Sequence, residues 1–149
     1  MASQLTMEIR GLDEFMRRLD GLSAVTRDET IGTALLAGAL VLEGYAKVAI
    51  ANPPKTGKIY KHGKVAHQAS APGEAPATDT GFLVNTIQSK RDGAEARVDV
   101  YSDYAAALEF GSSKMAARPY LRPAMDEHKD AIIEAVASNF EAAIQRAMR

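Results

Sequence analysis

The sequence predicts an α+β fold, in which a small antiparallel sheet packs against two long helices. Two stretches, at about 27–50 and 123–147, carry apolar residues at helical spacing. Between them, an Asp-Gly turn signal and alternating apolar and polar residues indicate a central β-hairpin at about 87–101. Residues 51–78 show neither period and predict a long loop. Together these observations predict one domain over residues 1–149.

Composition excludes several classes of protein. The 149 residues are 46% hydrophobic and 25% charged, values that suit a globular domain. The net charge is -1, so any contact with nucleic acid would have to be local. The absence of Cys excludes disulfides and Cys-ligated metal sites. We expect no signal peptide and no membrane contact, because no window approaches the ~20 apolar residues of a membrane span.

The N-terminal third is predicted to be mainly helical. Residues 5–10 alternate loosely and predict a short strand or a lead-in, and residues 12–19 then show one apolar helical face that Gly21 ends. Residues 26–29, Thr-Arg-Asp-Glu, match a capping box for the first long helix, which Pro53 and Pro54 stop. Small residues at 32–39 would let another helix or backbone approach closely. The predicted apolar face of this helix is Ile31, Ala34, Leu35, Leu42, Tyr45, Ala46 and Ala49.

The loop at 51–78 is basic in its first half, which carries Lys55, Lys58, Lys61 and Lys64 and no acid before Glu74. A structureless stretch of this length in a compact domain is either functional or disordered. Two interpretations stay open: a solvated, mobile loop, or a basic arm that becomes ordered only against a partner or DNA.

Two short helices flank the predicted hairpin. Asp79 or Thr80 can cap the first, and Asp103 can cap the second, which Gly111 closes. The inward side chains of the first would be Phe82, Leu83 and Ile87. Because a two-stranded hairpin is only marginally stable, we expect a third strand from residues 5–10, from the basic loop or from a neighbouring subunit.

The last helix is predicted to begin at a proline. Residues 118–122 should stay extended, because a residue before proline avoids the helical region. Pro123 suits the first turn of a helix. The apolar stripe that follows includes Met125, His128, Ile132, Ala135, Val136, Phe140, Ala143, Ile144 and Ala147.

We find no catalytic or metal-binding constellation in the sequence. There is no HExxH, GxSxG, GxGxxG or phosphate loop, and His62 and His67 have the spacing of surface residues rather than of ligands. We therefore predict no enzyme, no cofactor and no metal. Glu109, between two apolar residues, is interpreted as an interface acid or as the exposed face of its short helix, and a catalytic role is the least favoured.

Three motifs in the second half of the chain carry a family resemblance. The first is Asp79, Thr80, Gly81, Leu83 and Ile87, after a Pro/Gly run. The second is Tyr104, Ala105, Glu109, Phe110 and Gly111. The third is Met115, Ala116, Arg118, Pro119, Pro123 and Ala124. In this combination the chain resembles the neck or tail-completion proteins of long-tailed bacteriophages, a family related to the minor tail protein Z type of lambda-like phages. The departures from the family pattern are conservative: Thr86 stands in place of Ser, Ser112 in place of Thr, and Tyr120 in place of Phe.

The resemblance implies a structural virion protein without enzymatic activity. Such a protein would be assembled in the bacterial host cytoplasm and would sit at the head-tail junction of the virion. Its partners would be further copies of itself in a hexameric ring, the tail-tube or tail-terminator proteins and the head-connector proteins. DNA in the channel would be a nonspecific contact. Rings of this kind form when heterologous contacts close.

Two sets of residues are candidates for contact with partners. The subunit or partner interface is predicted at Tyr104, Glu109, Phe110, Arg118 and Tyr120. The loop that faces a partner or the DNA lumen is predicted at Lys55, Lys58, Lys61 and Lys64. An alternative function is a small nonspecific DNA-binding protein that uses the Lys-rich loop at 55–67, with salt-dependent phosphate contacts.

Overall fold

The computed structural model describes residues 4–5, 24–77 and 80–147, and it confirms the α+β class. The helices are α1 (Ala24–Ala51), α2 (Phe82–Thr86), α3 (Ala105–Phe110), α4 (Leu121–Glu127) and α5 (Lys129–Ala147). The strands are β1 (Gln4–Leu5), β2 (Ile59–His62), β3 (Val65–Gln68), β4 (Ile87–Asp92) and β5 (Glu95–Val100). The helix expected at 12–19 and the capping residue Asp79 lie outside the described residues.

The main sheet is antiparallel and has the order β1-β5-β4. The predicted hairpin is confirmed: Ile87 pairs with Val100 at its open end, and Asp92 pairs with Glu95 beside the turn. A third strand is also confirmed, and of the three sources considered it is the N-terminal one, since Leu5 pairs with Val98. The extra strand gives the hairpin the backbone partner that a two-stranded ribbon lacks.

Helix α1 is the central element of the core. It packs against both strands of the hairpin and, along its length, against α5. The two helices run antiparallel, because Ile31 and Ala34 near the start of α1 cluster with Phe140 and Ile144 near the end of α5. At the other end, the rings of Tyr45 and His128 stack with their centroids 3.5 Å apart. The buried face of α1 consists of Ile31, Ala34, Ala39, Leu42, Ala46 and Ile50.

The small residues of α1 lie where other backbone comes close, as predicted. A Cβ atom at Gly38 would lie 2.5 Å from Val136 Cγ2 on α5. A Cβ atom at Gly32 would lie 2.0 Å from the carbonyl oxygen of Gly93 in the β4–β5 turn. Both distances are shorter than van der Waals separation. With larger residues at positions 32 and 38, neither the β4–β5 turn nor α5 could approach α1 this closely.

By length and composition alone, Thr26–Ala51 could cross a membrane, which differs from the expectation from sequence. One face of this segment, however, is buried against the sheet and α5. The segment also carries Glu43 and Lys47, which pair with each other at 2.5 Å. These contacts favour a core helix of the domain over a membrane span.

The limits of the two long helices differ from the predictions. Helix α1 is helical from Ala24, so Thr26 lies inside it rather than at its N-cap. The final helix is divided in two at His128, where φ is -115° and ψ is 21°. The hydrogen bonds nevertheless continue through the break, since the His128 N–H donates to the Ala124 carbonyl and the Ile132 N–H donates to that of His128.

The region predicted as a long loop at 51–78 contains a β-hairpin, so that prediction was wrong in this part. Ile59 pairs with Gln68, and His62 pairs with Val65 across a two-residue turn whose Gly63 has φ +61°. All four residues of β2 are exposed. Because neither face of this hairpin packs on the core, its sequence lacks the alternation of apolar and polar residues that identifies a half-buried strand.

Two details of the short helices also differ from expectation. Leu83 and Ile87 are buried as predicted, but Phe82 is exposed. Helix α3 has Tyr104 at its N-cap with no capping hydrogen bond from a side chain, so Asp103 is not the cap.

Glu43 connects α1 to the outer edge of the main sheet. One carboxylate oxygen accepts the backbone N–H of Ser89 on the edge strand β4 at 2.7 Å, and the other accepts from Lys47. Burial raises the pKa of Glu43, but the hydrogen bonds from Lys47 and Ser89 outweigh it and leave the pKa below its usual 4.5. The contact therefore stabilises the ionised form and satisfies a polar group of an edge strand.

Exchanging two glycines of α1 for alanine should have opposite effects on stability. Gly44→Ala should raise the free energy of unfolding by about 0.5–1 kcal/mol, because no atom beyond the adjacent backbone of α1 lies within 4 Å of the added methyl group and alanine is the better helix former. Gly38→Ala should lower it by about 1–3 kcal/mol, because the methyl group overlaps Val136. Urea unfolding of the two variants is the measurement, and equal stabilisation by both would refute the close packing of α1 and α5.

The contribution of Glu43 to stability should depend on pH. Since its pKa in the folded chain lies below the unfolded value near 4.5, the stabilisation is complete above that value and is lost as the pH falls through the folded pKa. The difference in unfolding free energy between wild type and Glu43→Gln should be largest near neutral pH and should shrink below about pH 4.5. Glu134→Gln, at an exposed position on α5, is the control. A difference between wild type and Glu43→Gln that does not change with pH would contradict this assignment.

Candidate assembly surface

The carboxylate of Glu109 caps the start of α4 from within the fold. It accepts the backbone N–H groups of Tyr120, Leu121 and Arg122 at 2.9, 3.0 and 2.8 Å. The first N–H groups of a helix have no partner inside the helix, and Tyr120, at the N-cap, supplies no capping side chain of its own. Glu109, on the preceding helix α3, therefore supplies the cap.

This cap explains why α4 begins at Leu121 rather than at Pro123. The segment 118–122 was predicted to stay extended, and that prediction was wrong for its last three residues, because Tyr120 has ψ -31° and Leu121 and Arg122 are helical. The carboxylate holds the N–H of Arg122, the residue before the proline, and so offsets its local preference for extended backbone. Pro123 then occupies the first turn, where no N–H is needed.

The connection between α3 and α4 is closely tied to α3. Gly111 ends α3 as predicted, with φ +77° and ψ 176°, a conformation that only glycine adopts readily. The N–H of Ser112 donates to the Met115 carbonyl at 2.8 Å, and the N–H of Arg118 donates to the Leu108 carbonyl at 2.6 Å. The segment therefore returns along the helix it has just left.

Two of the five predicted interface residues lie inside the chain. Glu109 is 6% exposed, so both of its non-catalytic interpretations, as an interface acid and as the exposed face of α3, are corrected: it is a buried cap. Tyr120 is also buried, and burial, together with the charge of Glu109, raises the pKa of its phenol well above the usual value. These two residues are buried and support the residues at the surface, but they are not themselves exposed there.

The other predicted interface residues reach the surface. Tyr104 is 45% exposed and Phe110 is 55% exposed, at the two ends of α3. Arg118 is half-buried, and its guanidinium donates to the Ser70 carbonyl at 3.4 Å. Whether they contact a neighbouring subunit stays a prediction.

Sequence reasoning missed two members of this surface. Phe82, predicted to face inward, lies with its ring centroid 6.2 Å from that of Tyr104. The Arg122 guanidinium carbon lies 5.7 Å from the centroid of the Phe110 ring. The sequence did not identify Arg122 as a member of this surface because α4 was expected to begin at Pro123. Since α4 begins at Leu121, Arg122 is helical and its side chain lies over the Phe110 ring of α3.

A groove lies beside Phe110. We call it the Phe110 groove: a cleft of about 460 Å³ between α3, the segment 117–119 and α4. Its apolar lining comes from Phe110, Ala117, Pro119 and Pro123, and Asp126 and Glu127 form an acidic rim. The volume lies within the range of clefts that bind ligands, about 300–1,000 Å³.

The hairpin formed by β2 and β3 is the second candidate surface, and we call residues 57–69 the arm. Its four-lysine set is fully on the surface: Lys55 and Lys58 beside its base, Lys61 on β2 and Lys64 in its turn are all exposed. Three large apolar side chains of the arm are exposed as well, namely Ile59, Tyr60 and Val65, the last by 70%. The arm is thus a hairpin already in the single chain, whereas the sequence left open a loop that becomes ordered only against a partner.

The base of the arm is held by Glu74. Its carboxylate accepts two hydrogen bonds from Thr56, one from the hydroxyl and one from the backbone N–H, and a third from the backbone N–H of Ala71. The hydrogen bonds from Thr56 and then Ala71 lower the pKa of Glu74. Gly57 and Ala69 continue the ladder below the strands, with an N–H···O distance of 3.0 Å. A fixed base with a projecting, exposed tip suits contact with a second molecule.

The described residues offer no metal site. No group of three or more His, Cys, Asp or Glu among them could hold a metal ion. The chemistry that these two surfaces support is recognition of another macromolecule through aromatic, apolar and charged contacts.

Comparison with known proteins returned no relatives. No family model, no curated protein and no solved structure matches the chain. The resemblance to phage neck proteins therefore rests on the three sequence motifs alone.

Replacing Glu109 should destabilise the chain strongly. Glu109→Ala would leave three N–H groups without their acceptor, and each such buried group costs about 1–3 kcal/mol, so we expect a loss of at least about 3 kcal/mol. Glu109→Gln keeps one oxygen but directs an NH₂ group at backbone N–H groups, and it should lose about 1–3 kcal/mol. Glu127→Ala, at an exposed position on α4, should stay within about 0.5 kcal/mol of wild type. Urea unfolding measures all three, and a stable Glu109→Ala variant would refute the cap.

Proposed function

We propose that the chain is a structural subunit of a bacteriophage head-tail junction, a neck or tail-completion protein that forms a ring around the DNA channel. In this role it has no catalytic activity and needs no cofactor. Its partners are further copies of itself, the tail-tube or tail-terminator proteins and the head-connector proteins. It is assembled in the host cytoplasm and ends in the virion.

The observation that carries the proposal is the presence of two unlike apolar surfaces on one small chain. The Phe110 groove, with its aromatic neighbours, and the arm each expose large apolar side chains to solvent. Contiguous exposed apolar groups mark sites of interaction with other proteins. Two surfaces that differ from each other suit head-to-tail contacts, and such contacts close into rings when the rotation allows it.

The three sequence motifs, through the family that they resemble, support the head-tail junction as the place where the chain acts. The second and third motifs cover α3, the segment 117–119 and the start of α4, which build the groove, and the first covers α2, whose Phe82 ring lies beside Tyr104. Glu109 and Gly111 in the second motif cap α4 and end α3, while Phe110 between them is exposed. The motif thus combines residues that shape the groove with one that lines it, as a family of ring subunits would require.

Nonspecific DNA binding is the second candidate function. It is favoured by the exposure of Lys55, Lys58, Lys61 and Lys64 and by the absence of any acidic residue between positions 52 and 73. Two lysines on a projecting hairpin and two beside its base could contact the phosphates of a duplex. Because the net charge of the chain is -1, the chain as a whole is not attracted to DNA, and binding would depend on these local contacts.

The test is the mass of the purified chain by light scattering, alone and with the tail-tube protein. We expect a species of six chains, alone or on the tube. A monomer under every condition, with no binding to the tube, would overturn the ring proposal.

Fluorescence anisotropy with duplex DNA tests the second function. Affinity that falls about 10²-fold between 50 and 200 mM salt, as about four phosphate contacts would produce, and is lost on replacing the four lysines by alanine, would support DNA binding.

A further inference from the structure

We propose that the arm of one copy of this chain docks in the Phe110 groove of the next copy. The inference rests on the proposed self-assembly and names the two surfaces that would make it. The contact is heterologous, because the arm and the groove are different surfaces and every subunit offers one of each.

The arm is poorly stabilised without an occupant beside it. It is a two-stranded ribbon of four residues per strand, and such ribbons are marginal in water. The strand register places Tyr60, His62, Val65 and His67 on one face and Ile59, Lys61, Ala66 and Gln68 on the other. Each face therefore carries an exposed large apolar group, and within the described part of the chain no third strand pairs with either edge. Docking would bury apolar area that the single chain leaves in water.

The groove of a subunit faces away from that subunit's own arm. The segment 117–119 separates the two. Ala117 and Pro119 line the Phe110 groove, whereas Arg118 lines a second cleft together with Tyr60 and His67 of the arm. Successive residues of an extended segment point to opposite sides. An arm that enters the groove must therefore come from another molecule.

The charges of the two surfaces are complementary. The arm and its base carry four lysines, and the carboxylate at the base, Glu74, is hydrogen-bonded to Thr56 and Ala71. The groove has exposed carboxylates on Asp126 and Glu127, and the structure shows no ion pair for either among the described residues. The third carboxylate, Glu109, is buried and occupied by three N–H groups. The one cation, Arg122, lies over the Phe110 ring and leaves the rim acidic.

These features favour a second copy over DNA as the occupant of the groove. DNA would be repelled by the acidic rim, while the lysines of an arm would be attracted to it. The exposed Ile59, on the same face of the arm as Lys61 and Ala66, has no role in nonspecific phosphate contact but can fill an apolar cleft between Phe110 and the prolines.

Thiol cross-linking tests the contact directly, because the chain contains no native Cys. Ala66→Cys places a thiol on the exposed surface of the arm, and Ala117→Cys places one in the groove. Each variant is purified alone, and the two are then mixed and treated with a short bis-maleimide. We expect a cross-linked dimer that forms at least about tenfold faster in the Ala66→Cys and Ala117→Cys mixture than in a mixture of Ala66→Cys with Glu134→Cys. Equal rates in the two mixtures would overturn the docking.

A charge exchange provides a second, independent readout. Lys61→Glu with Lys64→Glu should lower the cross-linking rate about tenfold or more, because like charges would then face each other. Asp126→Lys with Glu127→Lys should do the same. The chain that carries all four changes should regain cross-linking. All positions are exposed, so unchanged unfolding midpoints serve as the control for folding. Failure of the fourfold variant to recover would overturn the pairing of these charges.

The outcomes separate this inference from the proposed function. If Lys61→Glu with Lys64→Glu still forms six-chain species and the arm–groove cross-link is absent, the ring uses another surface and only the docking is overturned. If the wild-type chain is a monomer alone and with the tube protein, the ring proposal fails, and the docking fails with it. If the same variant loses affinity for duplex DNA while no cross-link forms between the Ala66→Cys and Ala117→Cys chains, the arm is a DNA contact and the docking is overturned.

Discussion

The interaction on which the rest of the structure depends is the one between the Glu109 carboxylate and three backbone N–H groups of α4. A carboxylate taken out of water is costly unless hydrogen bonds replace its hydration, and here three donors do so. In return, the start of α4 is fixed against α3. Leu121 and Ala124 then enter the main core cluster, and α5, which follows, is set antiparallel to α1. A single buried acid thus fixes the start of α4, from which α5 follows.

The exposed surface follows from the same burial. In a helix, adjacent residues point about 100° apart, so turning Glu109 toward α4 turns Phe110 outward. Ala105, four residues before Glu109, shares its buried face. Tyr104, at the other end of α3, remains on the solvent side with Phe110, and Phe82 and Arg122 pack beside these rings. The groove is therefore a consequence of how α4 is capped, and the sequence motif that contains Glu109, Phe110 and Gly111 encodes both the cap and the exposed ring.

The sequence predicted the parts of the fold whose burial is periodic. The hairpin of β4 and β5 was found because Val98 and Val100 alternate with polar residues, and α1 because its apolar residues recur at helical spacing. The arm was missed because β2 is exposed along its whole length and β3 over its first half, so neither strand has the alternating burial of a half-buried strand. The orientation of Glu109 and the start of α4 could not be predicted, since they depend on a contact between residues 11 to 13 positions apart that overrides the local preference before Pro123. The groove depends on that contact, and for this reason its lining from α4 was not found.

The two surfaces are joined through one short hydrogen-bonded connection, which bears on whether assembly closes. The arm is anchored at its base by Glu74, and the residues that follow it are tied to the segment 117–119 through the Gly73–Ala117 and Arg118–Ser70 hydrogen bonds. The same segment lines the groove on its other side. Under the proposed function, every head-to-tail contact would therefore repeat one rotation set by this short connection. A repeated rotation produces a closed ring when it divides the full turn and an open helix when it does not, so the geometry at residues 117–119 would decide between the two.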